Sequence, residues 1–421
     1  MATALFPAIQ LFTLPDIADR LALFSQFLGL AALILMAWGQ ILSTRFAGME
    51  TVFGGLDRVY VLHKWAGIAA MAAILLHDTI DADMEGLGAE TALTDFAETL
   101  GEISLYGLLI LVVISVATFI PYHLWKWTHK AMGAFFAAGA IHFFLILKPF
   151  AMTDPAGLYT AAFCVAGLVA YGWTLVPQSM RPSHAYEIAG LEPSGDALAV
   201  SLKPVKSGIR PEPGQFGVLQ FIGAGLDEPH PFSFSAIEKD GGLRVTVKPL
   251  GDFTHRLPGR LQAGQSVAVQ GPYGRFRHSG TGPEIWVAGG IGITPFLAWA
   301  RALDETRAPV DLFYCVRSPE TAPHLAEIEQ IAASKDNLTL HVMASSQGDR
   351  LSADRIVTAL KDRPQAQRLS FCGPVSLRQA LQKDLHRLAI TPRNFHYEEF
   401  EFRTGIGLKR LAGWLLERAQ R

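Results

Sequence analysis

Long runs of hydrophobic residues fill the first 180 positions of the chain. After Arg181 they give way to short segments in which hydrophobic and polar residues alternate. A helix needs roughly 20 consecutive apolar residues to cross a bilayer. Five segments approach or exceed that length, and they cover about 18–42, 60–77, 101–121, 129–148 and 157–177. The pattern therefore predicts a bundle of five membrane-spanning helices.

Charges in the loops between these spans predict their orientation. Arg45 and Arg58 lie between the first and second spans. Lys126 lies between the third and fourth spans, and Lys130 lies at the start of the fourth. The loop between the second and third spans is acidic and holds no Lys or Arg. Because basic loops stay in the cytoplasm, this asymmetry predicts a multi-pass protein of the inner (plasma) membrane whose soluble half is cytoplasmic.

The remainder of the chain predicts two soluble domains. Segments such as ALAVSLKP and LRVTVKPL alternate with the period of two that is typical of a small antiparallel β-barrel. After Thr281, strands such as EIWVAGG lead into helices, which predicts an α/β sheet of the nucleotide-binding type. The expected fold is a multi-domain membrane protein. Its parts are a helical transmembrane domain over 1–178, a β-barrel over 182–280, an α/β domain over 281–402 and an amphipathic C-terminal extension over 403–421.

Composition agrees with a membrane protein and excludes other classes. Half of the residues are hydrophobic and only 18% are charged, which favours a membrane class. A net charge of -2 argues against a nucleic-acid partner. The three cysteines, Cys164, Cys315 and Cys372, form neither a disulfide framework nor a metal knuckle, which indicates a reducing compartment for the soluble half.

Four histidines in the predicted spans are candidate metal ligands. His63 and His77 lie fourteen residues apart on the second span, about 21 Å along a helix axis, and they point within about 40° of each other. His129 and His142 lie thirteen residues apart on the fourth span. Any one of them alone could be an interfacial histidine. Together they offer imidazole pairs at two depths, which suits the axial sites of haem iron.

The competing metal is zinc, which would need four nitrogen or sulfur ligands close together. Haem is therefore favoured, and the small residues between the first two histidines are expected to leave room for flat macrocycles. These residues are Ala66, Gly67, Ala69, Ala70, Ala72 and Ala73. On an ideal helix His129 and His142 would point about 140° apart, so we expect overwinding or a bend near Gly133 or Gly139.

Two motifs in the barrel region are candidates for a flavin site. HPFSFS, at 230–235, follows a barrel strand and could cover a flavin ring, or it could be an ordinary buried strand. VKPLGDFT, at 247–254, follows at the spacing of the next strand and turn. Its Gly251 would permit close backbone approach to a pyrophosphate.

Three later motifs are candidates for a dinucleotide site. VAGGIGITPF, at 287–296, is typical of a strand, a glycine turn and a helix start, where exposed amides suit a diphosphate. Thr294 is expected to cap that helix. Arg317 ends a later strand, where it could pair with the 2'-phosphate of NADPH or lie in solvent. FCGP, at 371–374, ends another strand at the sheet edge where ligands bind.

These motifs, in this order, resemble the ferredoxin–NADP reductase type of flavoprotein. With the paired histidines in front, the chain resembles the ferric reductase and NADPH oxidase superfamily, particularly its compact bacterial flavocytochrome b members. The resemblance covers nearly all of residues 18–402. Two features depart from it. The first of the usual six spans is reduced to the short N-terminal piece ALFPAIQLF, which we expect to be interfacial or re-entrant, and the chain continues past the usual end.

The resemblance implies three bound cofactors and their residues. His63 with His129 would bind the inner haem b, and His77 with His142 the outer one, with Phe135 between them. The positions that contact FAD correspond to His230, Pro231, Phe232, Ser233, Ser235, Lys248, Gly251 and Thr254. Those that hold NADPH correspond to Gly289, Gly290, Gly292, Thr294, Arg317, Cys372 and Gly373. Phe400, or second Phe402, would stack on the flavin and be displaced by nicotinamide. The implied catalytic set is Phe400, Cys372 and Ser233.

The implied function is transmembrane electron transfer from cytoplasmic NADPH through FAD and two haems to an extracytoplasmic acceptor. Oxygen, giving superoxide, is the first expectation for the acceptor, and an Fe(III) chelate is the second. A haem-bearing donor to a periplasmic partner protein and a non-catalytic membrane sensor are further alternatives. No obligatory protein subunit is implied, because both halves share one chain. The lipid bilayer is the expected partner of the helical half.

Overall fold

The computed structural model of the protein describes residues 2–13, 20–80, 87, 89, 91–116, 122–177, 180–223, 225–304, 306–360, 366 and 368–398. It divides into two compact units, one holding the chain up to Pro177 and the other running from Gln178 to Phe400. Phe400, Phe402 and the predicted extension over 403–421 lie outside the described residues.

The first unit is helical, as predicted. After a 3₁₀ turn at Ala2–Leu5 its helices are α1 (Phe6–Leu11), α2 (Arg20–Ser43), α3 (Ala47–Phe53), α4 (Leu56–Thr79), α5 (Ala92–Val116), α6 (Tyr122–Leu145) and α7 (Pro155–Leu175). The five long helices lie over the five predicted spans, although α4, α5 and α6 begin four to nine residues earlier. Within the described residues, α2, α4, α5 and α7 are long and apolar enough to cross a membrane. Helix α6 carries Lys126 and Lys130 near its start and is more polar.

One side of the short N-terminal piece packs against the helical unit, while Leu5, Ile9 and Phe12 are exposed. Leu11 is fully buried against α2 and α7. The indole of Trp38 donates a hydrogen bond to the Thr3 hydroxyl (2.9 Å), and the Ala156 amide donates one to the Gln10 side chain (2.5 Å). Gln10 thus satisfies one of the free amides at the start of α7.

The small residues of α4 lie in two different environments, one packed against α2 and one open, which the sequence did not distinguish. Ala66, Ala70 and Ala73 are buried against α2, where small side chains let two helices approach closely. They therefore do not provide the predicted space for macrocycles. Gly67 is exposed, and no atom lies within 4 Å of the position that a Cβ would occupy there.

Helix α6 is continuous from Tyr122 to Leu145, and the overwinding or bend expected near Gly133 or Gly139 stays a prediction. Both glycines permit close packing. A Cβ on Gly133 would lie 2.1 Å from the Tyr171 ring of α7, and a Cβ on Gly139 would lie 2.8 Å from the Ser104 hydroxyl of α5.

The second unit begins with a closed antiparallel barrel. Its strands are β1 (His184–Ser194), β2 (Ala197–Pro204), β3 (Phe216–Phe221), β4 (His230–Ile237), β5 (Leu243–Val247) and β6 (Ser266–Tyr273), in the spatial order β1-β2-β5-β4-β3-β6. A short helix, α8 (Asp252–Arg256), follows β5. Fully buried Tyr186, Phe221 and Phe234 form part of the barrel core.

The rest of the second unit is a parallel five-stranded sheet with helices on both faces. Its strands are β7 (Glu284–Gly289), β8 (Val310–Val316), β9 (Leu338–Ala344), β10 (Arg368–Cys372) and β11 (Phe395–Glu398), in the order β11-β10-β7-β8-β9. The helices are α9 (Ile293–Ala302), α10 (Leu325–Ala333), α11 (Ala353–Ala359) and α12 (Val375–Lys383). The carboxyl ends of β7 and β10, which carry two of the predicted dinucleotide motifs, are adjacent because these strands pair directly.

A buried carboxylate accepts hydrogen bonds from the segment that connects the last barrel strand, β6, to the first sheet strand, β7. Glu284, at the start of β7, is 2% exposed and accepts hydrogen bonds from His278 Nδ1 (3.1 Å) and Trp286 Nε1 (2.9 Å). It also accepts bonds from the amides of Ser279 and Gly280. Burial raises the pKa of this carboxyl, but the hydrogen bonds from His278 and Trp286 outweigh it, so the net pKa is lowered.

We expect Glu284→Gln to destabilise the second unit by about 2 kcal/mol, because the substitution leaves buried donors facing an amide. Since the folded pKa is lowered, the carboxylate stabilises the fold above the unfolded value of about 4.3, and that stability is lost as the pH falls further. Thermal unfolding of the full chain at pH 7 and at pH 4 measures both effects. Glu212→Gln is the control, because Glu212 forms an exposed pair with Arg277. Equal melting temperatures for both variants would contradict the prediction.

Candidate cofactor sites

The four predicted histidines lie on α4 and α6, in two pairs. The ring centroids of His63 and His129 are 5.9 Å apart, with their planes inclined at 57°. His77 lies within electrostatic range of His142. The structure therefore brings together the partners that the resemblance implied, one pair near the start of each helix and one near its end.

Each imidazole is anchored through Nδ1 to the helix beside it. Nδ1 lies 3.0 Å from the Gly39 carbonyl in His63, 2.9 Å from the Ser25 carbonyl in His77 and 2.7 Å from the Ala97 carbonyl in His142. A carbonyl oxygen can only accept a hydrogen bond, so Nδ1 carries the proton and Nε2 presents its lone pair. That is the tautomer and the orienting contact typical of a metal-bound histidine.

The fourth histidine is anchored differently. The Nδ1 atom of His129 lies 3.2 Å from the Ser115 hydroxyl of α5, and the Trp125 ring stacks on the imidazole at 4.9 Å. A hydroxyl can accept from Nδ1 as a carbonyl does, and it can also donate.

The anchors form a ladder that sequence reasoning missed. Ser25 and Gly39 on α2 are fourteen residues apart, as are the histidines that they hold on antiparallel α4. Glycines make room for the rings. A Cβ on Gly29 would lie 3.0 Å from His77 Nε2, and one on Gly101 would lie 2.9 Å from His142 Nδ1. The matching spacing of small residues on a neighbouring span was the signal available in the sequence.

Phe135 lies between the two histidines of α6, about midway along the helix. Its ring packs on α5 at Gly107, where a Cβ would come within 2.1 Å of the ring. Among the described residues, no group of three or more His, Cys, Asp or Glu could hold a metal ion. This arrangement disfavours the zinc alternative and leaves pairs of imidazoles.

The two serines of the predicted flavin motif, both on strand β4, differ in their hydrogen bonding. His230 stacks on Phe253 at 3.8 Å. The Ser233 hydroxyl is buried and has no hydrogen-bond partner among the described residues, which leaves it available to a ligand. Ser235 is different, because its hydroxyl bonds Arg244 and Thr246. Protein groups already occupy the Ser235 hydroxyl, and its contact with the cofactor stays a prediction.

The VKPLGDFT turn keeps open space at its glycine. Gly251 has an extended backbone, and no atom lies within 4 Å of a Cβ built there. The Thr254 hydroxyl accepts hydrogen bonds from the Leu250 and Gly251 amides, so it shapes the turn. Lys248 pairs with Asp196 at 2.9 Å and lies beside Gly290 of the dinucleotide motif.

Glycines allow the two dinucleotide motifs to meet. Gly290 has a φ of +55°. A Cβ on Gly292 would lie 2.2 Å from the Cys372 carbonyl oxygen, and one on Gly289 would lie 2.6 Å from Pro374. The Gly373 Cα is 3.2 Å from that same Gly289 Cβ position. The glycine turn after β7 and the FCGP turn after β10 therefore lie side by side at one sheet edge.

The capping role predicted for Thr294 is wrong. The N-cap of α9 is Gly292, and the Thr294 hydroxyl donates a hydrogen bond to the Ile291 carbonyl inside the turn. Arg317 is exposed directly after β8, at the same sheet edge.

Glu398 is a candidate that sequence reasoning passed over in favour of Phe400. Glu398 is in register with Cys372 across strands β11 and β10. Burial, followed by the Glu398 charge, raises the pKa of the Cys372 thiol well above its usual range. A Cβ on Gly274 would lie 3.5 Å from Glu398 Oε1 and 3.0 Å from the Phe216 ring, and Phe216 is in register with Ser233. An acidic residue at the end of a short aromatic strand was the available signal.

Comparison with known proteins agrees with this layout. The family described as ferric reductase like transmembrane component matches residues 28–140, which contain His63, His77 and His129. The oxidoreductase NAD-binding domain family matches residues 286–383, from β7 to α12. The chain carries the domain pair of the ferric reductase and NADPH oxidase-like superfamily. The predicted resemblance to that superfamily is confirmed.

Individual relatives match part of this chain. The electron transfer component of toluate 1,2-dioxygenase from Pseudomonas putida is 28% identical over 197 residues, 45% of this chain and 58% of that protein. The carnitine monooxygenase reductase subunit of Escherichia coli is 34% identical over 124 residues, 30% of this chain and 37% of that protein. The chain thus spans about half the length of the curated relatives that it matches.

One solved structure shares the overall fold. A flavohemoglobin from Malassezia yamatoensis, with bound FAD and heme, has a TM-score of 0.52 and 17% sequence identity, and the match covers 95% of this chain and 99% of that one. At this identity the similarity establishes the fold alone.

We expect Gly251→Ala to lower the affinity for FAD at least several-fold without lowering the melting temperature of the FAD-free protein. The backbone conformation suits alanine and no protein atom obstructs the new methyl group, so only a ligand that approaches the backbone would be displaced. FAD titration followed by flavin fluorescence measures the affinity. Gly259→Ala, at another open site nearby, is the control, and equal FAD affinity in both variants would rule out contact at Gly251.

Proposed function

We propose that this chain carries electrons from cytoplasmic NADPH across the inner membrane to an acceptor outside, with FAD and two b-type haems bound along the way. The observation that carries this proposal is the anchored histidine ladder in one chain with a module that bears flavin and dinucleotide motifs. Bound FAD would accept a hydride and release single electrons, which bound haem would then relay.

The first histidine pair fits a shared metal ion. A metal held by two imidazoles, with each nitrogen roughly 2 Å away, separates the ring centroids by about 6 Å. The observed separation of His63 and His129 is 5.9 Å. In His63, Nδ1 donates to the Gly39 carbonyl, which leaves Nε2 for a ligand. In His129, Nε2 is likewise left for a ligand when the Ser115 hydroxyl accepts from Nδ1. By the same anchoring, His77 and His142 would hold the second, outer haem.

Basic residues support the proposed orientation. Arg45 follows α2 and Lys126 lies in the early turns of α6, at the end of the helices that carries His63 and His129. The positive-inside tendency favours this end in the cytoplasm. Electrons from the cytoplasmic module would then reach the His63–His129 level first and the His77–His142 level second.

The chain's own residues would bind and orient the reactants. Gly289, Gly290, Gly292 and Gly373 shape the edge that would hold the NADPH diphosphate, and exposed Arg317 would select its 2'-phosphate. The buried Ser233 hydroxyl, which has no partner in the part of the chain that the structure describes, would bond the flavin, with Cys372 and Glu398 near the same edge. We also propose that nicotinamide displaces Phe400 from the flavin.

Removing one ladder histidine should remove one haem. We expect His63→Ala and His77→Ala each to retain about one of two haems, because each loses one axial ligand. Reduced-minus-oxidised spectra of purified protein measure the haem content, and NADPH oxidation is followed in parallel. Full haem content in both variants would refute the ladder assignment.

A gentler change tests the same ladder without deleting a ligand. Gly101→Ala adds a methyl group that cannot fit beside His142, so it should lower the outer haem content or change its spectrum. Gly172→Ala, where a methyl group meets no atom within 4 Å, is the matched control.

Oxygen is the proposed acceptor because the sequence motifs resemble those of compact bacterial NADPH oxidases. The match to a ferric reductase-like domain favours an Fe(III) chelate as the alternative. We expect NADPH-dependent reduction of an external dye by proteoliposomes to be abolished by superoxide dismutase. Dye reduction that is insensitive to superoxide dismutase, together with rapid reduction of Fe(III) chelate, would favour the alternative. Activity with neither would point to a partner protein.

A further inference from the structure

A polar cluster with a buried centre joins the barrel to the parallel sheet domain. The barrel contributes side chains from β4 and β5, and the sheet domain contributes side chains from α9 and α10. The members of this interdomain cluster are Ser235, Arg244, Thr246, Arg301, His324 and Glu327.

His324 is the centre of the cluster. It is 7% exposed, and its Nε2 lies 2.7 Å from the Thr246 hydroxyl while its Nδ1 lies 3.0 Å from a Glu327 carboxylate oxygen. Its backbone amide donates to the Ser194 hydroxyl at 2.8 Å. The residue also has a φ of +56°, which is unfavourable outside glycine. Such a conformation persists where the surrounding contacts fix it.

Glu327 connects three elements through its carboxylate. Arg244 of β5 donates to both oxygens at 2.8 and 2.9 Å, and Arg301 of α9 donates to one of them at 2.8 Å. Burial raises the pKa of this carboxyl, but the hydrogen bonds from His324, Arg244 and Arg301 lower it well below its usual range. The group is therefore an ion that holds barrel and sheet together.

The cluster leads directly to the strand that carries the flavin motif. The Thr246 hydroxyl donates to the Ser235 hydroxyl at 3.2 Å, and Ser235 is fully buried two residues after Ser233. The turn between β1 and β2 also contacts the segment that precedes α10. A Cβ on Gly195 would lie 2.6 Å from the Ala322 backbone, and the Asp196 amide donates to the Thr321 carbonyl.

We propose that His324 and Glu327 are positioning residues that fix the dinucleotide-binding sheet against β4 and so set the distance for hydride transfer. This inference rests on the proposed reduction of flavin by NADPH. That reaction takes a hydride from NADPH, leaves NADP⁺ and gives two electrons to the flavin. Reacting atoms must approach within roughly 3–3.5 Å, and a misplacement of about 1 Å can cost about a hundredfold in rate.

Thr246 allows the mildest test, because valine has nearly the shape of threonine but lacks the hydroxyl. In the full chain loaded with FAD and mixed rapidly with NADPH without oxygen, we expect Thr246→Val to lower the limiting rate of flavin reduction at least about tenfold. FAD content and the Kd for NADP⁺ should stay within about twofold. Thr246→Ser keeps the hydroxyl and should restore the rate, and His324→Gln should resemble Thr246→Val.

The control is a histidine–carboxylate pair that lies within the sheet alone. His341 Nε2 is 2.8 Å from Asp311 and its ring stacks on Phe313, so His341→Gln should leave the limiting rate unchanged. A normal rate in Thr246→Val, an equal fall in Thr246→Ser or His341→Gln, or a rate that falls only in proportion to lost FAD would overturn the positioning role. Wild-type flavin that NADPH cannot reduce would instead overturn the proposed function and the inference that rests on it.

Discussion

The hydrogen bond from each ladder histidine to the neighbouring helix is the constraint on which the helical unit depends. An imidazole in a membrane-spanning segment has to satisfy its polar atoms within the protein, because the hydrocarbon offers no partner. In three of the four rings that partner is a backbone carbonyl, on α2 for His63 and His77 and on α5 for His142. The bond needs close helix packing, which Ala66, Ala70 and other small residues allow. It also fixes which nitrogen is left to bind a ligand.

In the second unit, the comparable constraint is the close approach of two backbone segments, which glycines make possible. The ends of β7 and β10 can meet only because Gly289 and Gly292 carry no side chain. That contact places two loops of exposed backbone at one sheet edge, where α/β folds bind their ligands. The barrel strand with Ser233 is held near this edge by charged groups, since Glu327 bonds both Arg244 of the barrel and Arg301 of the sheet domain. Apolar packing forms the two cores, and ionic contacts fix one core relative to the other.

The sequence was sufficient for the architecture and for the placement of the histidines at two levels of α4 and α6, because both follow from period and spacing within single elements. It failed where a residue's role depends on a neighbour far along the chain. Nothing local distinguishes the alanines of α4 that pack on α2 from Gly67, which faces open space. Ser235 belongs to a flavin-like string, yet Arg244 and Thr246 saturate its hydroxyl. Glu398 ends a short aromatic strand, but only its pairing with Cys372 across strands shows what it lies beside.

A buried polar group whose hydrogen bonds are all made to the protein is structural, whereas one without a protein partner is a candidate to bind a ligand. The position of the group has to be considered as well. Glu284 and Ser235 are buried with complete sets of protein partners, so their chemistry is already committed to the fold. Ser233 is buried without a partner among the described residues, but so is Ser370 in the middle of β10. An unpartnered hydroxyl is therefore not enough by itself. Ser233 differs because it adjoins the edge where glycines expose the backbone, and the ladder histidines differ because each ring has one nitrogen committed to the protein and the other available for a ligand.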